Sequence, residues 1–222
     1  MSPANSYTTL IFDFDYTLAD SSEAIIECIN FGLTEAGYPE QSHENITRLI
    51  GVNVSDTFKT LTGDESEEHY QEFRKYFLIK ADEVGVPKTK IFDYVPETLR
   101  KLKSNAFKLG IVSTRFRYRI QPVLERENIY SCFDLIIGGE DVPQHKPDPS
   151  GLLMALEKLS SRGRETLYVG DSIIDAQTAN SAQVDFVAVL SGVTTPEQLQ
   201  EYKPLAILDN VSLLEKFLNQ RG

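Results

Sequence analysis

The sequence predicts an α/β fold in which a doubly wound parallel sheet carries an inserted, all-helical domain. Runs of apolar residues without alternation recur along the chain, and such runs are typical of strands buried on both faces. Amphipathic segments separate the runs, and this alternation of strands and helices favours a parallel sheet with right-handed crossovers. Residues 19–89 contain no convincing strand, which indicates the insertion.

Six apolar runs are the predicted strands of a Rossmann-like sheet. They are 7–15 (YTTLIFDFD), 107–115 (FKLGIVSTR), 133–139 (FDLIIGG), 165–172 (ETLYVGDS), 184–192 (VDFVAVLSG) and 204–210 (PLAILDN). Between them, residues 95–105, 117–128 and 149–161 place apolar side chains at helical spacing. The core domain is therefore expected to comprise residues 1–18 and 90–222.

The stretch 19–89 is predicted to be a separate helical domain with four helices, inserted after the first strand. These helices are 21–38, 42–51, 54–63 and 66–85. Ser21 is the expected N-terminal cap of the first helix, and glycines end the second and third. A connection between a strand and a helix usually has about 2–6 residues, so this stretch is too long to be a loop. We expect hinges near 19–21 and 87–90.

The 222-residue chain has a formal net charge of −11, which argues against a nucleic-acid partner because such a partner needs a basic face. No apolar stretch approaches the ~20 residues that cross a bilayer, so no membrane partner is expected. The start of the chain lacks a basic segment followed by an apolar one, and no secretory signal is expected. Cys28 and Cys132 lie in apolar patterns, which predicts buried thiols in a reducing cytoplasm.

Asp13 and Asp15 lie at the end of the first predicted strand, directly after its apolar residues. Because side chains alternate faces along a strand, these two carboxylates point the same way. Like charges held close together repel each other. The pair therefore costs stability unless a cation or a reaction uses it.

Further polar residues lie at the ends of the other predicted strands or directly after them. Ligands of open parallel sheets bind beyond the carboxyl ends of the strands, so these residues are interpreted as one site. Its candidates are Asp13, Asp15, Thr17, Ser113, Thr114, Arg115, Lys146, Asp171 and Asp175. Each alone has a structural interpretation, since a single Asp is most often a helix cap or turn former and a lone Ser a turn residue. Their joint occurrence at one sheet edge favours a site.

Several acids at one sheet edge predict a cation among them, and Mg²⁺ suits a site of oxygen ligands that keeps open water positions. A magnesium ion, a spare carboxylate, a lysine and a hydroxyl donor suit phosphoryl transfer. One carboxylate can attack phosphorus. A second carboxylate can protonate the leaving oxygen and then deprotonate water.

Four segments, in this order and spacing, resemble the signature motifs of the haloacid dehalogenase superfamily of phosphotransferases. They are DFDYTLADS (13–21), GIVSTR (110–115), HKPDPS (145–150) and YVGDSIIDA (168–176). The resemblance spans about residues 8–195, and the helical insertion is similar to the superfamily's small helical cap of the C1 type. The phosphoglycolate-phosphatase-like group is the most similar, through DSSEAIIECINFGLTEAGY, ITRLIG and YVPETLRKLK.

The resemblance implies catalytic and metal-binding roles for four acids. Asp13 would be the nucleophile and a metal ligand. Asp15 would be the general acid and base, and its backbone carbonyl would also bind the metal. Asp171 would bind Mg²⁺, with Asp175 in the next shell or reaching the ion through water.

The resemblance also implies how a phosphorylated substrate is held. Ser113 and the backbone amide of Thr114 would hold the phosphate, and Lys146 would steady both the phosphate and the nucleophile. For an anionic tail of the substrate, Arg115 from the core and Arg48 from the helical domain are candidates. Lys59, Arg74 and Lys80 are further candidates, and for each of these cations a solvated surface position is the alternative.

Three positions depart from the superfamily's pattern. Tyr16 stands where glycine is usual, which puts a bulky side chain near the expected hinge. Thr114 stands where asparagine is common, and this change leaves backbone donation intact. The segment 51–58 (GVNVSDTF) lacks the arginine that β-phosphoglucomutases carry in that loop, which speaks against a mutase.

The leading hypothesis is a cytoplasmic, Mg²⁺-dependent phosphomonoesterase, monomeric or homodimeric, that acts on a small phosphorylated metabolite through an aspartyl-phosphate. An inorganic pyrophosphatase or a β-phosphoglucomutase on the same scaffold is the alternative within the enzymes. A regulatory protein that binds a phosphorylated ligand without turnover is the alternative from another class. Such a binder has no need of Asp15, which favours the enzyme.

Overall fold

The computed structural model describes residues 7–220, which form two compact units. The sheet unit comprises the described residues up to Ala19 and from Ile91 onward, and the helical unit is Asp20–Lys90. The expectation about a secretory signal concerns the start of the chain, of which residues 1–6 lie outside the described part. Among the described residues, no helix has both the length and the apolar character to cross a bilayer.

The sheet unit is built around six parallel strands. The strands of the chain are β1 (Thr9–Phe12), β2 (Ala19–Asp20), β3 (Lys90–Ile91), β4 (Lys108–Val112), β5 (Leu135–Ile137), β6 (Thr166–Gly170), β7 (Asp185–Val189) and β8 (Ala206–Leu208). The large sheet has the order β5-β4-β1-β6-β7-β8, and all of its pairings are parallel. Each predicted apolar run contains one of its strands, so the predicted α/β fold is confirmed.

Strand β1 lies in the middle of this sheet, and all four of its residues are buried. Its last residue, Phe12, pairs with Ile111 of β4 on one side and with Val169 of β6 on the other. The three strands therefore end side by side. Side chains that follow them are delivered to the same edge of the sheet, which is where the candidate site is expected.

The described residues of the sheet unit form six α-helices. They are α5 (Val95–Ser104), α6 (Arg117–Arg126), α7 (Ser150–Lys158), α8 (Ile173–Ala182), α9 (Pro196–Gln200) and α10 (Leu214–Asn219). The first three coincide with the predicted amphipathic segments. Helix α5 shows why, because its buried side chains Val95, Leu99 and Leu102 recur at a spacing of three to four residues.

The helical unit contains four helices around a small aromatic core. They are α1 (Ser22–Glu35), α2 (His43–Thr47), α3 (Val54–Thr62) and α4 (Glu67–Val84). Phe58 and Phe73 stack with ring centroids 5.1 Å apart in this core. A Cβ on Gly32 would lie 2.9 Å from the Phe73 ring, so this glycine lets α1 and α4 approach closely. All four predicted helices are present.

Most ends of these helices follow local capping chemistry, but α2 ends at Thr47, so the prediction that Gly51 ends it is wrong. Ser42 and Ser66 accept hydrogen bonds from backbone N–H groups of α2 and α4, and Gly63 ends α3 in the left-handed conformation. Ser21 occupies the N-cap position of α1, as predicted, but its side chain makes no capping hydrogen bond. The Asp20 carboxylate accepts from the Ser22 N–H at 2.9 Å instead.

The strands β2 and β3 form a two-stranded sheet at the places where the chain leaves and re-enters the sheet unit. They were not predicted, because a strand of two residues is too short to show any periodicity.

Cys28 and Cys132 are both buried free thiols, as predicted.

Candidate active site

The acids and the lysine that were expected to gather beyond β1, β4 and β6 are almost inaccessible to solvent. The exposed fractions are 3% for Asp13, 6% for Asp15, 5% for Ser113, 5% for Lys146, 4% for Asp171 and 0% for Asp175. Water therefore screens these charges little, and their mutual interactions decide their protonation.

Three of the carboxylates form one cluster. Oxygen atoms of Asp13, Asp171 and Asp175 all lie within 4.8 Å of one another. The ammonium of Lys146 lies between two of them, with its Nζ 2.8 Å from Asp13 Oδ1 and 2.6 Å from Asp175 Oδ1. The cluster thus holds three carboxylates around one buried cation, and the negative charge is in excess.

The excess of negative charge appears in the protonation equilibria. Burial raises the pKa of Asp13 to about 7, against the opposing effect of Lys146 and with a contribution from Asp175. Burial and the nearby Asp175 and Asp13 raise the pKa of Asp171 well above its usual value. Burial opposes the charge of Lys146, but its two carboxylate partners outweigh burial and raise its pKa well above the usual value. The ammonium stays charged, while the carboxylates lack sufficient positive charge.

Asp171 is held in place by a hydroxyl and a glycine. The Thr17 hydroxyl donates to Asp171 Oδ1 at 2.9 Å. On the other side, a Cβ on Gly192 would lie 2.0 Å from Asp171 Oδ2, so only glycine leaves room for the carboxylate there. The sequence placed Thr17 in the site, whereas Gly192 was not predicted.

Asp175 is surrounded by protein donors. Its Oδ2 accepts from the Ser172 N–H at 3.1 Å and from the Ser172 hydroxyl at 2.6 Å, within a capping box at the start of α8. Its Oδ1 accepts from Lys146 at 2.6 Å and from the Tyr168 hydroxyl at 2.9 Å. A carboxylate offers about four acceptor positions, so these four bonds use its capacity.

Ser113 and Thr114 lie in the loop after β4. The Ser113 hydroxyl oxygen accepts from the Arg115 N–H at 3.2 Å, which leaves its own proton for donation. The loop packs tightly on the glycines that follow β5, since a Cβ on Gly139 would lie 2.4 Å from the Thr114 carbonyl oxygen. These glycines, Gly138 and Gly139, were not predicted as part of the site.

Asp15 is paired with Arg115. The Arg115 Nη2 lies 2.8 Å from Asp15 Oδ1, and its Nε lies 3.1 and 3.2 Å from the two carboxylate oxygens. Both side chains are less than one-tenth exposed, and the guanidinium lies over the Phe14 ring at 5.6 Å. A substrate-binding candidate thus contacts the proposed general acid directly.

Tyr16 adopts a backbone conformation that explains why glycine is usual at this position. Its φ is 59°, in the left-handed region that an aromatic residue rarely adopts. Its N–H donates to the Ala19 carbonyl at 2.7 Å, so the chain makes a tight turn directly after Asp15. The tyrosine is 8% exposed, and its burial compensates for a strained turn.

The other predicted cations belong to the helical unit. Arg48 belongs to the helical unit, is well exposed and pairs with Glu44. Lys59 pairs with Glu65 at 3.3 Å in the same unit. Lys80 pairs with Glu83 at 2.8 Å. Each of these three therefore has an acidic partner within its own unit.

Tyr168 is a residue of the site that was not predicted. It lies within β6 and is fully buried, and its hydroxyl contacts Lys146, Asp175 and the carbonyl oxygen of Val112. In the sequence it stands inside the apolar run LYVG, where a tyrosine is typical of core packing. The signal that could have found it is a buried hydroxyl, which needs a hydrogen-bond partner.

The acidic cluster fits a divalent metal ion. Hard cations such as Mg²⁺ prefer carboxylate oxygens, and three of them converge here. Asp13 Oδ1 is buried and receives no well-aligned hydrogen bond from the described residues, although Lys146 lies close to it. An acceptor of this kind, beside acids whose pKa is raised, is what a metal ligand needs.

Comparison with known proteins places the chain in a family. The profile of the haloacid dehalogenase-like hydrolases matches residues 10–189. The chain is 32% identical over 211 residues to a phosphoglycolate phosphatase of Aquifex aeolicus, covering 94% of this chain and 97% of that protein. It is 31% identical over 207 residues to the pyrophosphatase PpaX of Listeria innocua, covering 92% and 93%.

A solved structure extends the comparison to the fold. A haloacid dehalogenase-like hydrolase from Bacteroides fragilis has a TM-score of 0.91 and 41% identity, and the match covers 94% of this chain and 100% of that chain. Both curated relatives are phosphatases by name, in agreement with the enzyme class predicted from the four motifs. The chain belongs to the haloacid dehalogenase-like hydrolase family.

Proposed function

We propose that this chain is a Mg²⁺-dependent phosphatase that hydrolyses a small phosphorylated metabolite through a phosphoaspartate on Asp13. The observation that carries the proposal is the buried cluster of three carboxylates around one lysine. Such an excess of buried negative charge costs stability, and a bound cation offsets that cost. The names of the two curated relatives support the same class of reaction.

Asp13 and Asp171 would hold the ion through their carboxylates, together with the Asp15 backbone carbonyl. Asp175 acts from the next shell, because four protein donors already occupy its oxygens. When bound, the ion neutralises charge on the phosphoryl oxygens and lowers the barrier to displacement. Lys146, the Ser113 hydroxyl and the Thr114 amide bind the remaining phosphoryl oxygens.

In the first step, a carboxylate oxygen of Asp13 attacks phosphorus. A bond forms between this oxygen and phosphorus, and the bond from phosphorus to the ester oxygen breaks. Asp15 gives its proton to the departing oxygen, which leaves as a neutral alcohol. Lys146 is within 2.8 Å of Asp13 and keeps the carboxylate oriented during the attack.

In the second step, water attacks the phosphorus of phosphorylated Asp13. Asp15, now a carboxylate, accepts the proton of this water, and the bond between Asp13 and phosphorus breaks to release phosphate.

In this structure the Asp15 carboxylate is an acceptor for Arg115. The ion pair must therefore open, or the carboxylate must rotate, before Asp15 can act as an acid.

The helical unit, Asp20–Lys90, is proposed to be a cap domain that sets substrate choice and excludes water. The core would then be the remainder of the chain, close to the expected 1–18 and 90–222. Arg48 remains a candidate contact for the substrate, although it must release Glu44 to serve in that role. We expect the enzyme to act in the cytoplasm as a monomer or a homodimer.

The proposal is tested with p-nitrophenyl phosphate. Hydrolysis is expected with Mg²⁺, should stop on addition of EDTA, and should be abolished in Asp13→Asn, with circular dichroism and thermal unfolding showing an intact fold. Asp15→Asn is expected to slow turnover by ~10²–10⁴, the usual contribution of general acid–base catalysis. Full activity of Asp13→Asn would refute the mechanism, and a lack of turnover with any phosphate ester would favour a non-catalytic binding protein.

A second candidate, hydrolysis of pyrophosphate, is favoured by the similarity to PpaX and by the position of Arg115. Arg115 contacts the group that protonates the leaving oxygen, so it lies where a negative charge on the leaving group would come. Phosphoglycolate and pyrophosphate both carry such a charge. Replacing Arg115 by Met is expected to reduce kcat/KM for these two substrates more than for p-nitrophenyl phosphate, and the preferred substrate of the wild type decides between them.

A further inference from the structure

The Tyr168 hydroxyl lies at the point where three catalytic segments meet. It is 2.9 Å from Asp175 Oδ1, 3.3 Å from Lys146 Nζ and 3.3 Å from the carbonyl oxygen of Val112, which directly precedes Ser113. The side chain is fully buried, with an exposed fraction of 0%. One hydroxyl therefore lies beside the end of β4, the lysine loop and the first turn of α8. Its single proton is donated to Asp175 at the shorter distance, and the Val112 carbonyl oxygen is the more distant alternative acceptor.

The contacts of Lys146 show what this hydroxyl adds. An ammonium has three N–H donors, and three oxygen atoms lie around this one: Asp13 Oδ1, Asp175 Oδ1 and Tyr168 Oη. A lysine side chain is long and flexible, and a single charge partner does not fix its direction. With hydrogen bonds to Asp175 and Tyr168 and the Asp13 charge at 2.8 Å, the ammonium has one well-defined position beside Asp13.

The hydroxyl also acts on Asp175. A phenol both donates and accepts, so Tyr168 can donate to Asp175 Oδ1 while it accepts from Lys146. Burial and the Asp175 charge raise the pKa of Tyr168 well above its usual value, so the hydroxyl keeps its proton. A phenylalanine would keep the packing of the ring against Phe186 and would lose only these bonds.

We infer that Tyr168 is a positioning residue for phosphoryl transfer, whose hydroxyl fixes the Lys146 ammonium and Asp175 in the arrangement that aims Lys146 at Asp13. This inference rests on the proposed function, because it assigns Tyr168 an effect on the reaction of Asp13. The residue acts through Lys146 and does not contact the substrate. A small misplacement of such a group has a large effect on rate and a small effect on binding.

The experiment compares Tyr168→Phe with Tyr7→Phe. Tyr7 is also buried, and its hydroxyl donates to Asp185 Oδ2 at 2.6 Å, outside the acidic cluster. For Tyr168→Phe, kcat for p-nitrophenyl phosphate is expected to fall about 10- to 100-fold while KM changes less than about twofold. For Tyr7→Phe, kcat is expected to stay within about twofold of the wild type. Equal kcat values for Tyr168→Phe and the wild type would overturn the inference.

A double substitution tests whether Tyr168 acts through Lys146. In a Lys146→Met background, Tyr168→Phe should reduce kcat by less than about twofold, because the group it positions is gone. An undiminished loss in that background would overturn the inference. Thermal unfolding checks each variant, and Tyr168→Met, which also lacks the hydroxyl, serves if Tyr168→Phe does not fold.

The proposed function and this inference fail differently. If the wild type does not hydrolyse p-nitrophenyl phosphate with Mg²⁺, or if Asp13→Asn remains active, the proposed function is wrong. If both of those results are as expected and Tyr168→Phe has the kcat of the wild type, only the inference is wrong.

Discussion

Two groups of charged residues in this chain are built in opposite ways. At the sheet edge, three buried carboxylates share one lysine. In the helical unit, a partly exposed network contains equal numbers of cations and carboxylates: Lys80, Lys88, Lys90, Glu23, Glu27 and Glu83. The Lys88 ammonium lies 3.0 Å from Glu23 and 2.7 Å from Glu27. The first group has unbalanced charge where water cannot screen it, and the second has balanced charge in contact with water.

The pKa shifts of the two groups differ in sign, which identifies the group that lacks positive charge. In the network, a hydrogen bond from Lys88 lowers the pKa of Glu23, and bonds to Glu27 and Glu23 raise the pKa of Lys88. In the cluster, the pKa of Asp13 and of Asp171 is raised despite the nearby lysine. The network around Lys88 stabilises the helical unit modestly, whereas the cluster at the sheet edge needs a further cation.

The largest effect is expected for Lys146→Met, which leaves the buried acids without a protein cation. Removing one partner of a buried ion pair costs about 3–5 kcal/mol, and kcat is expected to fall by at least ~10³. The control is Lys103→Met, whose ammonium pairs with the half-exposed Asp134 and whose loss costs about 1 kcal/mol or less. Calorimetric melting of both variants makes the comparison, and equal losses would show that the cluster is no more demanding than a surface pair.

Asp171→Asn tests the opposite change, because it removes a negative charge from the cluster and leaves the lysine in place. It removes one of the repelling charges and keeps an oxygen that can accept from Thr17. Without Mg²⁺ the variant is expected to be more stable than the wild type, by about 1–2 kcal/mol. Added Mg²⁺ should stabilise the wild type and leave the variant unchanged. A lower melting temperature of the metal-free variant would contradict the account.

The caps of two helices offer a smaller comparison. Ser172 caps α8 and also donates to Asp175, whereas Ser42 only caps α2 in the helical unit. Ser42→Ala is expected to cost about 0.5–1 kcal/mol and Ser172→Ala about 1–2 kcal/mol. Only Ser172→Ala should also lower kcat, since Asp175 contacts Lys146. Chemical unfolding and steady-state kinetics give both values, and a drop in kcat for Ser42→Ala would point to a general loss of fold.

The smallest effect concerns an exposed cluster in the helical unit. Asp64 accepts from Tyr38 at 2.6 Å and lies 2.7 Å from His69 Nδ1. Hydrogen bonds from Tyr38 and His69 lower the pKa of Asp64 to about 2, and the bond to Asp64 raises the pKa of His69 above 6.5.

The sign of the pH dependence follows from these shifts. The contribution of His69 is complete below pH 6.5 and is lost as the pH rises through the raised pKa. The contribution of Asp64 is complete above pH 3.8 and is lost as the pH falls toward about 2. NMR titration is expected to show a lower pKa for His69 in Asp64→Asn than in the wild type. An unchanged titration would mean that the contact is absent in solution.

Much of the fold and the site could be predicted, because the relevant signals are local. The apolar runs and the acids that follow them are adjacent in the chain, so strands and site residues such as Asp13 and Asp171 were found together. Tyr168 could not be found in this way, because its partners Val112, Lys146 and Asp175 come from three separate segments. The close approach of Gly192 to Asp171 is likewise a contact between distant parts of the chain.

Local signals predicted some positions correctly and left their contacts open. Ser21 lies at the N-cap position of α1, as its residue type predicts, but the Asp20 carboxylate accepts the hydrogen bond from the Ser22 N–H. Arg115 was predicted to bind substrate from its position after β4, and the sequence did not reveal that it contacts Asp15. Pairing preferences between distant charged residues depend on distances that only the folded chain supplies.

The central claim is that Asp13 takes the phosphoryl group from the substrate. The most direct test is an acid quench of the enzyme during turnover of a phosphate ester with Mg²⁺, followed by mass spectrometry of its peptides. The account predicts one phosphoryl group on the peptide that contains Asp13. It predicts none when EDTA is present from the start of the reaction. Turnover of the wild type without any phosphorylated peptide, either in the wild type or in Asp15→Asn, in which breakdown of the intermediate is slowed, would contradict it.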